Sequence, residues 1–132
     1  MTRAIQQSVV LKAPPDELFE MFLDSKKHAA VTGAPAKISR KVGGTFTAHG
    51  GHLQGRTLMI VPNRLIVQAW RATQWKAEDA DSILVVGFSE APGGGRIDLV
   101  HINVPAYDHA GVTEGWKKYY WTPWKAYLGK KG

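Results

Sequence analysis

The sequence has no cysteine among its 132 residues, which excludes disulfides and thiolate metal ligands. That suits a reducing compartment, and a cytoplasmic location is expected. No apolar run approaches the roughly 20 residues a membrane helix needs, so no membrane span is expected. The start, Met1-Thr2-Arg3-Ala4-Ile5-Gln6-Gln7, lacks a signal-peptide core. Acidic residues are the minority: eleven Asp and Glu against seventeen Lys and Arg leave a net charge of +6. Yet the basic residues never run beyond a pair, as in Lys26-Lys27, Arg40-Lys41, Lys117-Lys118 and Lys130-Lys131. No nucleic-acid motif accompanies them, so nucleic acid is not an expected partner. The excess charge serves solubility or an acidic protein surface. Gly43-Gly44 lacks the Lys-Ser/Thr and following helix of a phosphate loop, and no cofactor is expected.

What the chain does have is a regular succession of elements. Ile5 to Leu11 is rich in β-formers. Ala13-Pro14-Pro15-Asp16-Glu17 opens a helix, with proline in its first turn and acids at its positive end. Asp24-Ser25 stops that helix and caps a second, which ends at Gly33 and Pro35. Strands are then predicted over Ala36–Arg40, Thr45–Ala48, Leu53–Val61, Arg64–Thr73, Ser82–Glu90 and Arg96–Val104, separated by turn signals. Short links between consecutive strands imply an antiparallel meander.

Six of the thirteen aromatic residues fall between Trp116 and Tyr127. With Val112 and Leu128, the positions Trp116, Tyr119, Tyr120, Pro123, Trp124 and Tyr127 recur at helical spacing, while Glu114, Lys117, Lys118 and Lys125 take the other side. The spacing predicts a helix over 112–128, with Asp108 as its cap and Gly129 beyond its end. Pro123 removes one backbone hydrogen bond, to Tyr119, and is expected to bend it. Strand, two short helices, six strands and one long amphipathic helix form a single α+β domain over 1–132, with a curved sheet wrapped around the helix. A bent helix need not seal a curved sheet, so a cavity between the two is expected.

The order and the motifs together resemble a known family. His28-Ala29-Ala30-Val31-Thr32-Gly33-Ala34-Pro35-Ala36-Lys37-Ile38-Ser39, Val42-Gly43-Gly44-Thr45-Phe46 and Gly55 are similar to the first half of an activator of Hsp90 ATPase homologue domain. So are Ile66-Val67-Gln68-Ala69-Trp70-Arg71 with Trp75, and Val104-Pro105 followed by Gly115-Trp116 and Tyr119-Tyr120. The resemblance runs from Ile5 to Leu128 and implies the START/Bet v 1-like helix-grip fold, with a cavity for apolar ligands. It implies contact with the chaperone Hsp90 as well. The eukaryotic activators carry an additional N-terminal domain, and the resemblance is to their C-terminal domain only. Fold alone does not select among these functions, since the superfamily also hosts carriers, receptors and cyclases.

Candidate site residues follow from strand alternation. Ile66, Gln68 and Trp70 share one face, Leu84, Val86 and Phe88 another stripe, and Phe46 adds to them. Leu99 and His101 point the same way, as does Asn103. With Trp116 and Tyr120, these residues either line a ligand cavity or simply fill a core. His101 could hydrogen-bond a ligand, act as an acid or base, or be a structural histidine paired with Asn103, a carbonyl or a tyrosine. No carboxylate or motif-placed nucleophile supports catalysis, so no catalytic residue is assigned. His49-Gly50-Gly51-His52 lies in a glycine turn without a helical His pair, and no metal site is expected. On the outer face Ile83, Val85, Val100 and Ile102 would form a sticky patch, leaving the chain a monomer or a homodimer. The leading expectation is a non-enzymatic domain that binds a small apolar ligand or a partner protein. An Hsp90 co-chaperone is the alternative, and a small cyclase or hydrolase using His101 is the second.

Overall fold

The computed structural model describes residues 2–131 in backbone and 2–129 in side chains. Strand β1 (Ile5–Leu11) leads into helices α1 (Pro15–Leu23) and α2 (Ser25–Thr32). The chain then runs through β2 (Lys37–Ile38), β3 (Thr45–Ala48), β4 (Leu53–Val61), β5 (Leu65–Ala72), β6 (Ser82–Ala91) and β7 (Gly94–Ile102). It finishes in α3 (His109–Trp116), a π-turn (Lys117–Trp121) and α4 (Thr122–Lys131). The sheet order is β1-β7-β6-β5-β4-β3-β2, antiparallel throughout. This is the expected α+β helix-grip arrangement: a meander, with the first strand returning to its far edge beside the last.

Local signals set the first half. Pro15 opens α1, and the Asp24 side chain accepts from the Lys27 backbone N–H at 3.0 Å to cap α2. Gly33 then closes α2 in the left-handed conformation with φ 80°. Strand β2 is shorter than its predicted span because the Ser39 hydroxyl is drawn into the turn that follows, accepting from the Lys41 N–H. Strand β7 ends early. Asn103 adopts a φ of 63°, which breaks the extended backbone, and its amide donates to the Asp81 carbonyl on the outside. The expected inward pair of His101 and Asn103 is therefore not formed: Asn103 is exposed and His101 is fully buried.

The inner face carries rows of side chains across the sheet. One runs Ile5, His101, Leu84, Gln68, Thr57; the next runs Gln7, Leu99, Val86, Ile66, Ile60. At Gly55 a Cβ would stand 1.9 Å from the Ala69 carbonyl oxygen and 2.7 Å from the Phe46 ring, so only glycine lets β4 pass there. On the outer face Val100, Val85, Val67 and Met59 form an aliphatic row, with Ile102 beside Ile83.

The C-terminal helical run is longer than predicted and differs in the middle. It starts at His109 and continues through Gly129. Ahead of Pro123 the backbone widens by one residue, and the Thr122 N–H bonds to the Lys117 carbonyl. A proline ring collides with the carbonyl four residues before it, and a π-turn is one relief of such crowding. The extra residue shifts the facing register. Tyr120 and Trp121 are both buried, whereas Tyr119, predicted on the apolar stripe, is 51% exposed. Trp116, Tyr120 and Trp124 pack on the concave face as expected. Gln7 ties the helix to β1: its amide donates to the Thr113 carbonyl at 2.9 Å, and its oxygen accepts from the Trp121 indole at 2.7 Å.

Candidate functional site

Helix and sheet part company at one end. There a cleft of about 600 Å³ opens between the start of α3, the ends of β5 and α2, and the loop before β4. Its cause is side-chain volume. Gly111 and Gly115 stand one helical turn apart on the lining face of α3, opposite Ala34 and Ala72. None of these residues can fill the gap that Trp121, Trp124 and Leu128 fill further along. The walls are the rings of Trp70, Trp116, Tyr119 and Tyr120, with Thr32, His49, His52, Gln74 and Asp108 as polar members.

Two of these rings, Trp116 and Tyr120, are held by buried hydrogen bonds behind them. The Trp116 indole N–H donates to His101 Nδ1 at 3.1 Å. An indole can only donate, so the neutral imidazole carries its proton on Nε2. Nε2 then donates to Ser82 Oγ at 2.8 Å, and the Ser82 hydroxyl donates to the Trp70 carbonyl at 2.6 Å. Trp70 stands edge-on to His101, with ring centroids 4.6 Å apart. Burial, with His109 as a lesser influence, pushes the His101 imidazole down to about 3. Both ring nitrogens are satisfied, so this histidine has no free lone pair to accept a proton from a ligand. Its role in the geometry is to fix the two tryptophans.

Tyr120 is fixed in the same manner. His28 Nδ1–H donates to the Phe22 carbonyl at 2.8 Å, so its Nε2 accepts from the Tyr120 hydroxyl at 3.0 Å. Burial pushes His28 down to about 4 and raises the Tyr120 phenol, so both are neutral at pH 7. Asp108 occupies the cap position of α3 as predicted, but its carboxylate does not cap. Its Oδ2 accepts from the Trp75 indole at 2.7 Å, and its Oδ1 lies 2.9 Å from where a Cβ on Gly111 would stand.

His49 is the exception among these groups. It sits in the left-handed region at φ 52°, an uncommon conformation for a residue with a side chain. Its ring centroid is 5.2 Å from that of Tyr120 and 5.7 Å from that of Tyr119. Its Nε2 is buried without a hydrogen-bond partner. Burial, then the neighbouring His52, hold its imidazole below the usual histidine range.

Of the residues predicted to line a cavity, Trp70, Trp116 and Tyr120 border the cleft. Phe46, Ile66, Leu84, Val86, Phe88 and Leu99 belong to the packed core under the helix. Gln68 and His101 are buried with them. The difference has a physical reason: alternation identifies the inner face, but only the facing helix side chains decide where that face is covered. The cleft lies between helix and sheet, at the glycine end of the helix. Sequence reasoning missed His49, Asp108, Gly111 and Tyr119 as cleft residues. The one legible signal was the pair of glycines four apart inside a helical pattern, which removes a wall.

Curved antiparallel sheet, two short helices and a long C-terminal helix define a helix-grip domain. Residues 12–129 match the family model for Activator of Hsp90 ATPase homolog 1-like protein, and the chain belongs to that family. The human activator of 90 kDa heat shock protein ATPase homolog 1 is 28% identical over 115 residues, 87% of this chain and 34% of its own length. The Dictyostelium discoideum activator homologue is 25% identical over 118 residues, 89% of this chain and 30% of its own. The chain thus spans about a third of the length of the curated relatives it matches. Among solved structures, an HSP90 activator from Plasmodium falciparum superposes with a TM-score of 0.87 at 25% identity, covering 97% of each chain.

Proposed function

We propose that the chain is a binding domain whose cleft holds a small, largely apolar molecule. The observation that carries this reading is the ring-walled opening between α3 and β5, beside a packed core. Its volume of about 600 Å³ lies within the ~300–1,000 Å³ common for small-molecule sites. Rings held by buried hydrogen bonds give a preformed surface, so little ordering opposes binding. Titration with the neutral dye Nile red tests it. Saturable binding with quenching of tryptophan emission is expected, and absence of binding at any attainable concentration would overturn the reading.

A second reading has its own observation. α2 packs beside the π-turn and α4, and Lys26, Lys27, Lys117, Lys118 and Lys125 on these elements are all exposed. Such exposed lysines suit an acidic protein surface, and the named relatives point to the chaperone Hsp90. Tested on its own, this domain offers one site without the avidity of two tethered sites, which reaches about 10²–10⁴. Weak stimulation of the host chaperone's ATPase is therefore expected, falling as salt rises. Strong, salt-insensitive stimulation would show that this domain carries the whole activity.

A further inference from the structure

The cleft's chemistry differs in sign from the rest of the molecule, and this deepens the ligand-binding reading on which it rests. The chain has seventeen Lys and Arg, yet among the described residues none of them lines the cleft. The ionisable groups that do are Asp108, His49 and His52. Asp108 presents a carboxylate whose Oδ2 is already anchored by Trp75. His49 presents a buried, unpartnered ring nitrogen, and the neutral imidazole can accept there when its proton is on Nδ1. The rings add to this, because the face of an aromatic carries negative potential. Lys118 already exploits it, with its ammonium 5.3 Å from the centroid of Tyr119.

We propose that the cleft selects an aromatic amine: a planar ring system bearing an ammonium or other N–H cation, and that it rejects carboxylate ligands such as fatty acids. The ring system stacks among Trp70, Trp116 and Tyr120, and the ammonium meets Asp108 at the start of α3. An anionic ligand would face that carboxylate and the negative ring faces, with no Lys or Arg among the described lining residues to pair with. Buried charges without a partner are strongly disfavoured. Lys118 lies against Tyr119, but its ammonium is already engaged with that ring, and exposed charges farther off are screened beyond about 10 Å at 0.1 M salt.

Three probes of one shape separate the possibilities: 2-naphthylmethylammonium, 2-naphthylmethanol and 2-naphthoate, titrated at pH 7 against tryptophan fluorescence. The ammonium is expected to bind about ten-fold tighter than the alcohol, and the naphthoate weakest of the three. Asp108→Asn retains an acceptor for Trp75 while removing the charge. It is expected to remove the ammonium's preference of about ten-fold over the alcohol. Tightest binding of naphthoate, or an ammonium affinity untouched by Asp108→Asn, overturns the proposal. Nile red binding with no naphthalene binding overturns this inference alone, whereas absence of binding by Nile red and all three naphthalenes overturns the ligand-binding reading with it.

Discussion

One helix and one sheet meet twice in this molecule, with opposite results. At the C-terminal end Trp121, Trp124 and Leu128 come down on the sheet beside Phe22, and Trp124 is 0% exposed. At the N-terminal end Gly111 and Gly115 face the same sheet and a cleft remains. Strand geometry is common to both ends. The difference lies in side-chain volume on the helix. The inner face of a curved sheet thus sets where a cavity can exist, and the helix decides where it does.

Acid breaks the comparison most severely, because both histidines that hold the cleft's rings are buried and neutral. Their folded values fall to about 4 for His28 and about 3 for His101, against 6.5 unperturbed. Protons then bind the unfolded chain more readily than the folded one, and stability falls with pH. The contribution is intact above pH 6.5 and is lost as pH drops through that value toward the folded ones. By pH 4 the loss is about 3 kcal/mol per histidine, a large share of the ~5–15 kcal/mol that holds a typical domain. Circular dichroism followed from pH 7 to 3 should show cooperative unfolding below pH 6. Unchanged stability across that range would mean that the histidines are accessible to protons in the folded state.

The next effect distinguishes the two ends directly. Trp124→Ala in the closed end and Trp116→Ala at the cleft wall should each destabilise by about 3–5 kcal/mol, since Trp124 is 0% and Trp116 2% exposed. Their consequences for binding should diverge. Trp124→Ala leaves the cleft walls in place, so Nile red affinity is retained wherever the protein remains folded. Trp116→Ala removes a wall and strips His101 Nδ1 of its donor, so affinity falls as well. Denaturant unfolding paired with dye titration reads both. Equal loss of dye binding in the two variants would erase the distinction between the ends.

These contrasts were unevenly legible in the sequence. Strands β1, β3 and β4 have the bounds that their residues predict, and α1 and α2 are marked by Pro15 and the Asp24 cap, because those signals act within a few residues. The buried faces of β5, β6 and β7 followed from alternation alone. What escaped depends on distant partners. Asp108 reads as a cap until Trp75, 33 residues earlier, is seen to claim its carboxylate. His101 reads as a possible base until Ser82 and Trp116 occupy both nitrogens. The π-turn hides because Pro123 marks a disturbance without stating its form, and regular helical spacing omits Trp121 from the apolar stripe for that reason.

The smallest expected effect bears most closely on why the cleft exists. Gly115 is helical, and a Cβ there would meet only Tyr119 Cδ2 at an ordinary 3.7 Å. Replacing a helical glycine by alanine stabilises by about 0.5–1 kcal/mol when nothing clashes. Gly115→Ala should therefore raise stability by about that much, and Gly115→Leu should leave the fold intact while filling the space and abolishing dye binding. Gly111 is the control: its Cβ would press to 2.9 Å from Asp108 Oδ1, so Gly111→Ala should gain less and disturb the carboxylate. A more stable Gly115→Ala with weakened binding would show that the glycine holds space for a ligand at the expense of helix stability. A stability gain in Gly115→Leu with dye binding unchanged would place the dye elsewhere, and the opening at this end would then be a packing defect rather than a site.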